Sequence, residues 1–195
     1  MRNLIIIALI ITAVLSSSFA AEAKSLVVVF SRTDENYSVG RITKGNTMIV
    51  AEMIASKTGS DLFEIKPVKK YPEGYDECTD VAKKELNSKA RPAIVEDKDI
   101  SEYDTIFFGY PIWWGDLPMC FYTFIEAHDW NGKKVIPFCT NEGSGLAGTE
   151  GNLKRALKGA EVMKGLSVRG STAQRDKARA EASVDSWLTS LGLIR

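Results

Sequence analysis

Thr105-Ile106-Phe107-Phe108-Gly109-Tyr110-Pro111-Ile112-Trp113-Trp114-Gly115-Asp116 is the stretch whose reading decides the fold. An apolar run from Thr105 to Tyr110, interrupted by Gly109 and ended by Pro111, has the length and composition of a strand buried on both faces of a parallel sheet. Trp113 and Trp114 then fall in the loop at that strand's carboxyl end. Either they pack under the loop against a helix, or they flank a flat ligand in the crevice where open α/β sheets bind ligands.

Working outward, Leu26 to Ser31 is a second continuous β-branched and aromatic run, the pattern of a central strand. A polar stretch, Arg32 to Lys44, leads through Gly45-Asn46-Thr47 into a helix over Met48 to Lys57, with Val50, Met53, Ile54 and Lys57 on one face and Gly59 as its stop. Asp61 to Lys66 predicts a strand, Tyr75 to Asn87 a helix and Pro92 to Glu102 a connection. Beyond the Thr105 strand, Leu117 to Ala127 predicts a helix behind Pro118, and Val135 to Cys139 a short strand. A glycine-rich loop follows, Thr140 to Gly145, then a helix around Asn152 to Leu157. Val162 to Val168 predicts a fifth strand. Asp176 to Leu191 closes the chain as a helix with Ala178, Ala182, Val184, Trp187, Leu188 and Leu191 as its apolar positions. Five strands alternating with helices call for right-handed parallel βαβ units, hence a doubly wound three-layer α/β sandwich.

The chain has 195 residues, and its 25 basic and 25 acidic side chains cancel. One domain with a sizeable core is expected, and nucleic acid is not an expected partner. Residues 1–23 read as a targeting segment ahead of a domain over 24–195. Arg2 precedes an uncharged apolar run from Leu4 to Leu15, and Ala21-Glu22-Ala23 is an A-x-A site that would release a chain starting near Lys24. Export to a periplasmic or extracellular compartment is the expectation, the alternative being an uncleaved membrane anchor. Cys78, Cys120 and Cys139 allow at most one internal disulfide. His128, the sole histidine, reads as an ordinary surface or turn residue. No metal-ligand spacing, Ser/His/Asp set or P-loop lysine competes for a function, so no catalytic residue and no metal site are assigned.

The loops after the first, third and fourth strands converge at the switch point of such a sheet. After the first, Ser31, Arg32, Thr33, Gly45, Asn46 and Thr47 place hydroxyls, an amide and a glycine where helix N–H groups and dipole favour an anion; Asn46 or Thr47 could equally serve only to cap that helix. After the third come Pro111, Ile112, Trp113, Trp114 and Gly115. After the fourth come Thr140, Glu142, Gly143, Ser144 and Gly145, whose backbone can approach a ligand closely. A phosphate at one end and a stacked ring at the other outline a mononucleotide, and FMN fits it best.

With these three loops in view, the sequence resembles the flavodoxin family over Ser25 to the C-terminus. The resemblance implies a flavodoxin-like sandwich with a five-stranded parallel sheet in order 2-1-3-4-5, and FMN as the cofactor. Ser31-Arg32-Thr33 and Gly45-Asn46-Thr47 correspond to two halves of the family's phosphate loop, separated by an insertion from Asp34 to Lys44 that carries Asn36, Tyr37 and Arg41. By resemblance, Trp114 flanks the isoalloxazine and the Gly115 carbonyl accepts a hydrogen bond from the reduced ring. The fourth-strand loop has no tyrosine between Thr140 and Gly151, where many flavodoxins stack one. The implied activity is electron transfer in an exported compartment, with a redox protein or small-molecule acceptor as partner. The alternatives are an NAD(P)H-dependent FMN reductase acting on quinone-like acceptors, and a cofactor-free binding module.

Overall fold

A computed structural model describes residues 24–195; residues 1–23, read above as a targeting segment with a cleavage site, lie outside the described residues. In chain order the elements begin with β1 (Lys24–Val29), the hairpin strands β2 (Asp34–Asn36) and β3 (Gly40–Ile42), α1 (Asn46–Thr58), β4 (Asp61–Glu64) and α2 (Tyr75–Ser88). They continue through β5 (Tyr103–Pro111), α3 (Met119–Glu126), β6 (Lys134–Asn141), α4 (Thr149–Ala156), β7 (Glu161–Val162), β8 (Leu166–Arg169), α5 (Gly170–Arg175) and α6 (Lys177–Ser190).

The main sheet runs β4-β1-β5-β6 with β7 and β8 on the outer edge of β6, every pairing parallel. This is the predicted order. Alternation along each strand divides the core in two, because successive side chains point to opposite faces. Leu26, Val28 and Phe30 of the first strand region join Ile106, Phe108 and Tyr110 of β5 under α3 and α4, whereas Val27, Val29 and Phe107 pack beneath α1, α5 and α6. Gly109 is glycine for want of space, since a Cβ there would lie 2.1 Å from the Phe138 ring of the neighbouring strand.

Two expectations are corrected, the continuity of the fifth strand and the buried positions of the last helix. The fifth strand, predicted over Val162 to Val168, is broken: β7 pairs with Lys134 and Val135, β8 with Phe138 to Asn141. Pro137 falls in that gap and has no N–H to contribute to the ladder. The stretch before α6, not assigned from the sequence, forms the short helix α5. In α6 it is Ala180 that is buried with Val184, Trp187 and Leu188, while Ala178 and Ala182 face solvent. His128 lies in the bend after α3, consistent with the turn reading; its side chain is 11% exposed, packs 4.6 Å from the Phe124 ring centroid and bonds Asp97 at 2.9 Å. The three cysteines are buried and unpaired.

Candidate functional site

The loop after β1 delivers the first wall. Helix α1 begins after Gly45, which supplies no side-chain cap. Ser31 does so from a distance, its Oγ accepting the Met48 N–H at 2.9 Å. The approach requires glycine, because a Cβ at position 45 would sit 2.2 Å from that Oγ and 2.6 Å from the Arg32 carbonyl oxygen. Among the described residues the N–H groups of Asn46 and Thr47 take no acceptor. These free donors, with the positive end of the helix dipole, form a seat for an anion. The Asn46 Oδ1 is out of contact with solvent and without a donor among the described residues. Its amide packs so closely on Gly170 that a Cβ at 170 would lie 2.3 Å from Nδ2. The Thr47 side chain turns inward instead, 2.7 Å from the Thr140 hydroxyl.

Arg32 and Thr33 are engaged elsewhere. The Arg32 guanidinium donates to the carbonyls of Glu35, Pro72, Glu73 and Gly74, and so ties the first loop to the chain entering α2. The Thr33 hydroxyl donates to Asp34. The insertion is the β2–β3 hairpin. Its base is held by that guanidinium and by the Glu35 carboxylate accepting the Tyr75 N–H, its tip by Arg175 donating to the Ser38 carbonyl.

The tryptophan loop is a two-residue turn. Trp113 and Asp116 exchange both backbone hydrogen bonds, at 2.9 and 3.0 Å, and the two residues between them have φ of +53° and +83°. Two positive φ values in a two-residue connection make a type I′ turn, and Gly115 suits the second position. Trp114 occupies the first at a cost of roughly 1–2 kcal/mol for a residue with a side chain. The turn separates the pair. Trp113 packs edge-on to Phe30 and Tyr71, with centroids 5.3 and 4.8 Å away. Trp114 is 51% exposed, its Nε1 donating to the Thr79 carbonyl and Lys83 standing over its ring.

In the third loop Asn141 is the organiser: its Oδ1 accepts the N–H groups of Gly143 and Gly145, and its Nδ2 donates to Ser167. Glu142 turns back to hold the start of α5, accepting from the Ser171 N–H and hydroxyl.

The three loops enclose one cavity of about 430 Å³. Of the predicted site residues, Arg32, Asn46, Pro111, Ile112, Trp113, Trp114, Thr140, Glu142 and Ser144 line it. Ser31, Thr33, Gly45, Thr47, Gly115, Gly143 and Gly145 do not; they shape the loops that do. Sequence reasoning singled out Asn36 and Tyr37 in the insertion without assigning them to the site, and missed Tyr75, Cys78, Thr79 and Ala82 on α2, and Asn141 and Gly170. Asn141 carried a usable signal, because an asparagine just ahead of glycines commonly bonds the backbone that follows it. No linear signal links α2 to the cavity. Burial pushes the Cys78 thiol up and outweighs the opposing pull of Arg32, so this wall carries a neutral thiol at neutral pH. The cavity can thus accept an anion at one end and cover an aromatic surface at the other.

A family model described as flavodoxin matches residues 37–184. A candidate flavoprotein from Bacteroides eggerthii is 31% identical, with 88% of this chain and 99% of that one covered at a TM-score of 0.70. A flavoprotein from Lactobacillus acidophilus, solved in complex with FMN, is 22% identical, with 85% and 99% covered at 0.62, a likeness of fold. Comparison with curated proteins finds no match.

Proposed function

Because this chain belongs to the flavodoxin family, we propose that its cavity holds FMN and that the protein is an electron carrier. The observation that carries this reading is the joining, in one cavity, of a helix N-terminus with free N–H donors and a half-exposed tryptophan. The residues present fit the cofactor. A phosphate has only acceptors to offer at physiological pH and suits the N–H groups of Asn46 and Thr47. The unpartnered Asn46 Oδ1 suits a hydroxyl donor such as those of the ribityl chain. Ser144 adds a hydroxyl, and Trp114 the apolar face.

When bound, FMN supplies the redox chemistry; the protein supplies binding, orientation and electrostatic tuning. By the family resemblance, the Gly115 carbonyl of the Trp113–Asp116 turn would be the group that accepts a hydrogen bond from the reduced ring. The neutral Cys78 thiol leaves the nearby wall uncharged. Titration of the protein into FMN tests the reading: flavin fluorescence is quenched and the visible bands shift, whereas unaltered fluorescence removes the cofactor assignment.

The third loop favours a second reading, an NAD(P)H-dependent reductase of quinone-like acceptors, because it presents Ser144 and glycines rather than an aromatic ring. The balanced charge of the chain points the same way, since a carrier that docks by charge gains from an excess of one sign. Stopped-flow mixing of the loaded protein with NADPH separates the two: rapid bleaching assigns the reductase, none the carrier. We assign the protein to an exported compartment on the pattern of residues 1–23. Mass analysis of protein from its native source checks this, a chain beginning near Lys24 being the expected product. Among the described residues no helix is long and apolar enough to cross a membrane.

A further inference from the structure

The third loop lacks an aromatic residue from Thr140 to Gly151, so a ring resting on Trp114 has no partner for its other face from that side. Large side chains left more than a third exposed include Tyr37, at 62%, and Trp114, and both line the cavity. Helix α2 relates their positions. The Tyr37 ring centroid stands 5.8 Å from that of Tyr75, tilted by 34°. The Trp114 indole is bonded to the carbonyl of Thr79, one turn further along the helix. The four residues from Tyr75 to Thr79 advance about 6 Å along the helix axis. Two walls that sandwich an aromatic ring stand roughly 7 Å apart, because carbon surfaces touch at about 3.5 Å on each side. Cys78 and Ala82 of the same helix present small side chains to the cavity.

The hairpin that carries Tyr37 is anchored at both ends. Arg32 donates from its guanidinium to four carbonyls, Glu35 accepts the Tyr75 N–H, and Arg175 holds the Ser38 carbonyl. A wall held in place before the ligand arrives spares binding most of the ordering entropy a flexible lid would lose.

From this arrangement we infer that the β2–β3 hairpin supplies the second aromatic wall of the site, Tyr37 and Trp114 bracketing the flavin ring along α2. The inference rests on the FMN reading above and assigns to an insertion the stacking role that the third loop cannot fill. Arg32 then acts as a positioning residue for the wall.

Titrations with FMN and with lumiflavin, the same ring without the phosphorylated chain, test it. Tyr37→Ala should weaken both ligands by about 3- to 10-fold and leave more residual flavin fluorescence, while Tyr37→Phe, which keeps the ring, stays within about 2-fold of the unaltered protein. Arg32→Ala should repeat the Tyr37→Ala pattern, and Asn46→Ala should weaken FMN alone. Equal affinities for the unaltered protein and Tyr37→Ala overturn the inference and leave the FMN reading standing. So does a loss confined to FMN, which puts Tyr37 at the phosphate end, or a Tyr37→Phe protein as weak as Tyr37→Ala, which makes the hydroxyl the active group. Failure of the unaltered protein to bind either ligand removes both readings together. Circular dichroism of each variant confirms folding, which an exposed hairpin residue should not disturb.

Discussion

The hydroxyls of Thr47 and Thr140 meet at 2.7 Å, both side chains buried, and join the first turn of α1 to the end of β6. The anion seat and the third loop are thereby locked together. The Thr47 side chain is spent on this link while its backbone N–H stays free for a ligand. Thr47→Val should therefore lower stability by about 1–3 kcal/mol, the cost of stranding the Thr140 hydroxyl. FMN affinity, measured in the same preparations, should fall by less. The double change Thr47→Val/Thr140→Val should recover part of the stability in urea unfolding, since neither hydroxyl is then left alone.

The two tryptophans should separate cleanly. Trp114→Ala removes a half-exposed ring and should weaken FMN binding by about 1 kcal/mol with little change in melting temperature. Trp113→Ala removes a ring packed on Phe30 and Tyr71 and should lower stability by roughly 3 kcal/mol. Calorimetry and flavin titration on both variants check the division; equal effects on the two measurements would contradict it.

Cys78 offers a chemical reporter of occupancy. Its thiol is buried in the cavity wall and its titration is pushed above the ordinary thiol range, chiefly by burial. Alkylation should be slow at neutral pH and accelerate only as pH climbs past that range, because the thiolate is the nucleophile. FMN should slow it further. Peptide mass mapping distinguishes Cys78 from Cys120 and Cys139, whose titration burial also raises.

Glu85 should make stability pH-dependent. Burial raises its carboxyl pKa, with the Tyr71 hydroxyl donating to it at 2.7 Å as a partial offset. A folded pKa above the unfolded one means that the protonated form favours folding, and that this contribution is lost as pH rises through the folded value. Glu85→Gln keeps an acceptor for Tyr71 without the charge. Its melting temperature should exceed that of the unaltered protein near neutrality, and the gap should close toward the ordinary glutamate range. A gap that widens on acidification would reverse the assignment.

Much of this molecule was legible in the chain itself. Continuous apolar runs at Leu26 and Thr105 specify strands covered on both sides, and their alternation with helical patterns specifies a doubly wound sheet. The loops that bound the cavity follow, because a parallel sheet puts the carboxyl ends of its strands at one edge. Individual roles did not follow. Arg32 was expected at an anion and instead holds four carbonyls; Trp113 and Trp114 are neighbours in sequence with opposite surroundings.

The sequence by itself determined the architecture and the address of the site, since strand and loop order are written in local hydrophobic periodicity and turn chemistry. Only the tertiary structure decided which groups face the cavity. The wall formed by Tyr37, Tyr75 and Cys78 depends on where the hairpin lands on α2, and that contact is made by backbone carbonyls common to every sequence. Which of a residue's polar atoms stays free for a ligand is likewise settled by its neighbours in space, as the Thr47 hydroxyl, taken up by Thr140, illustrates.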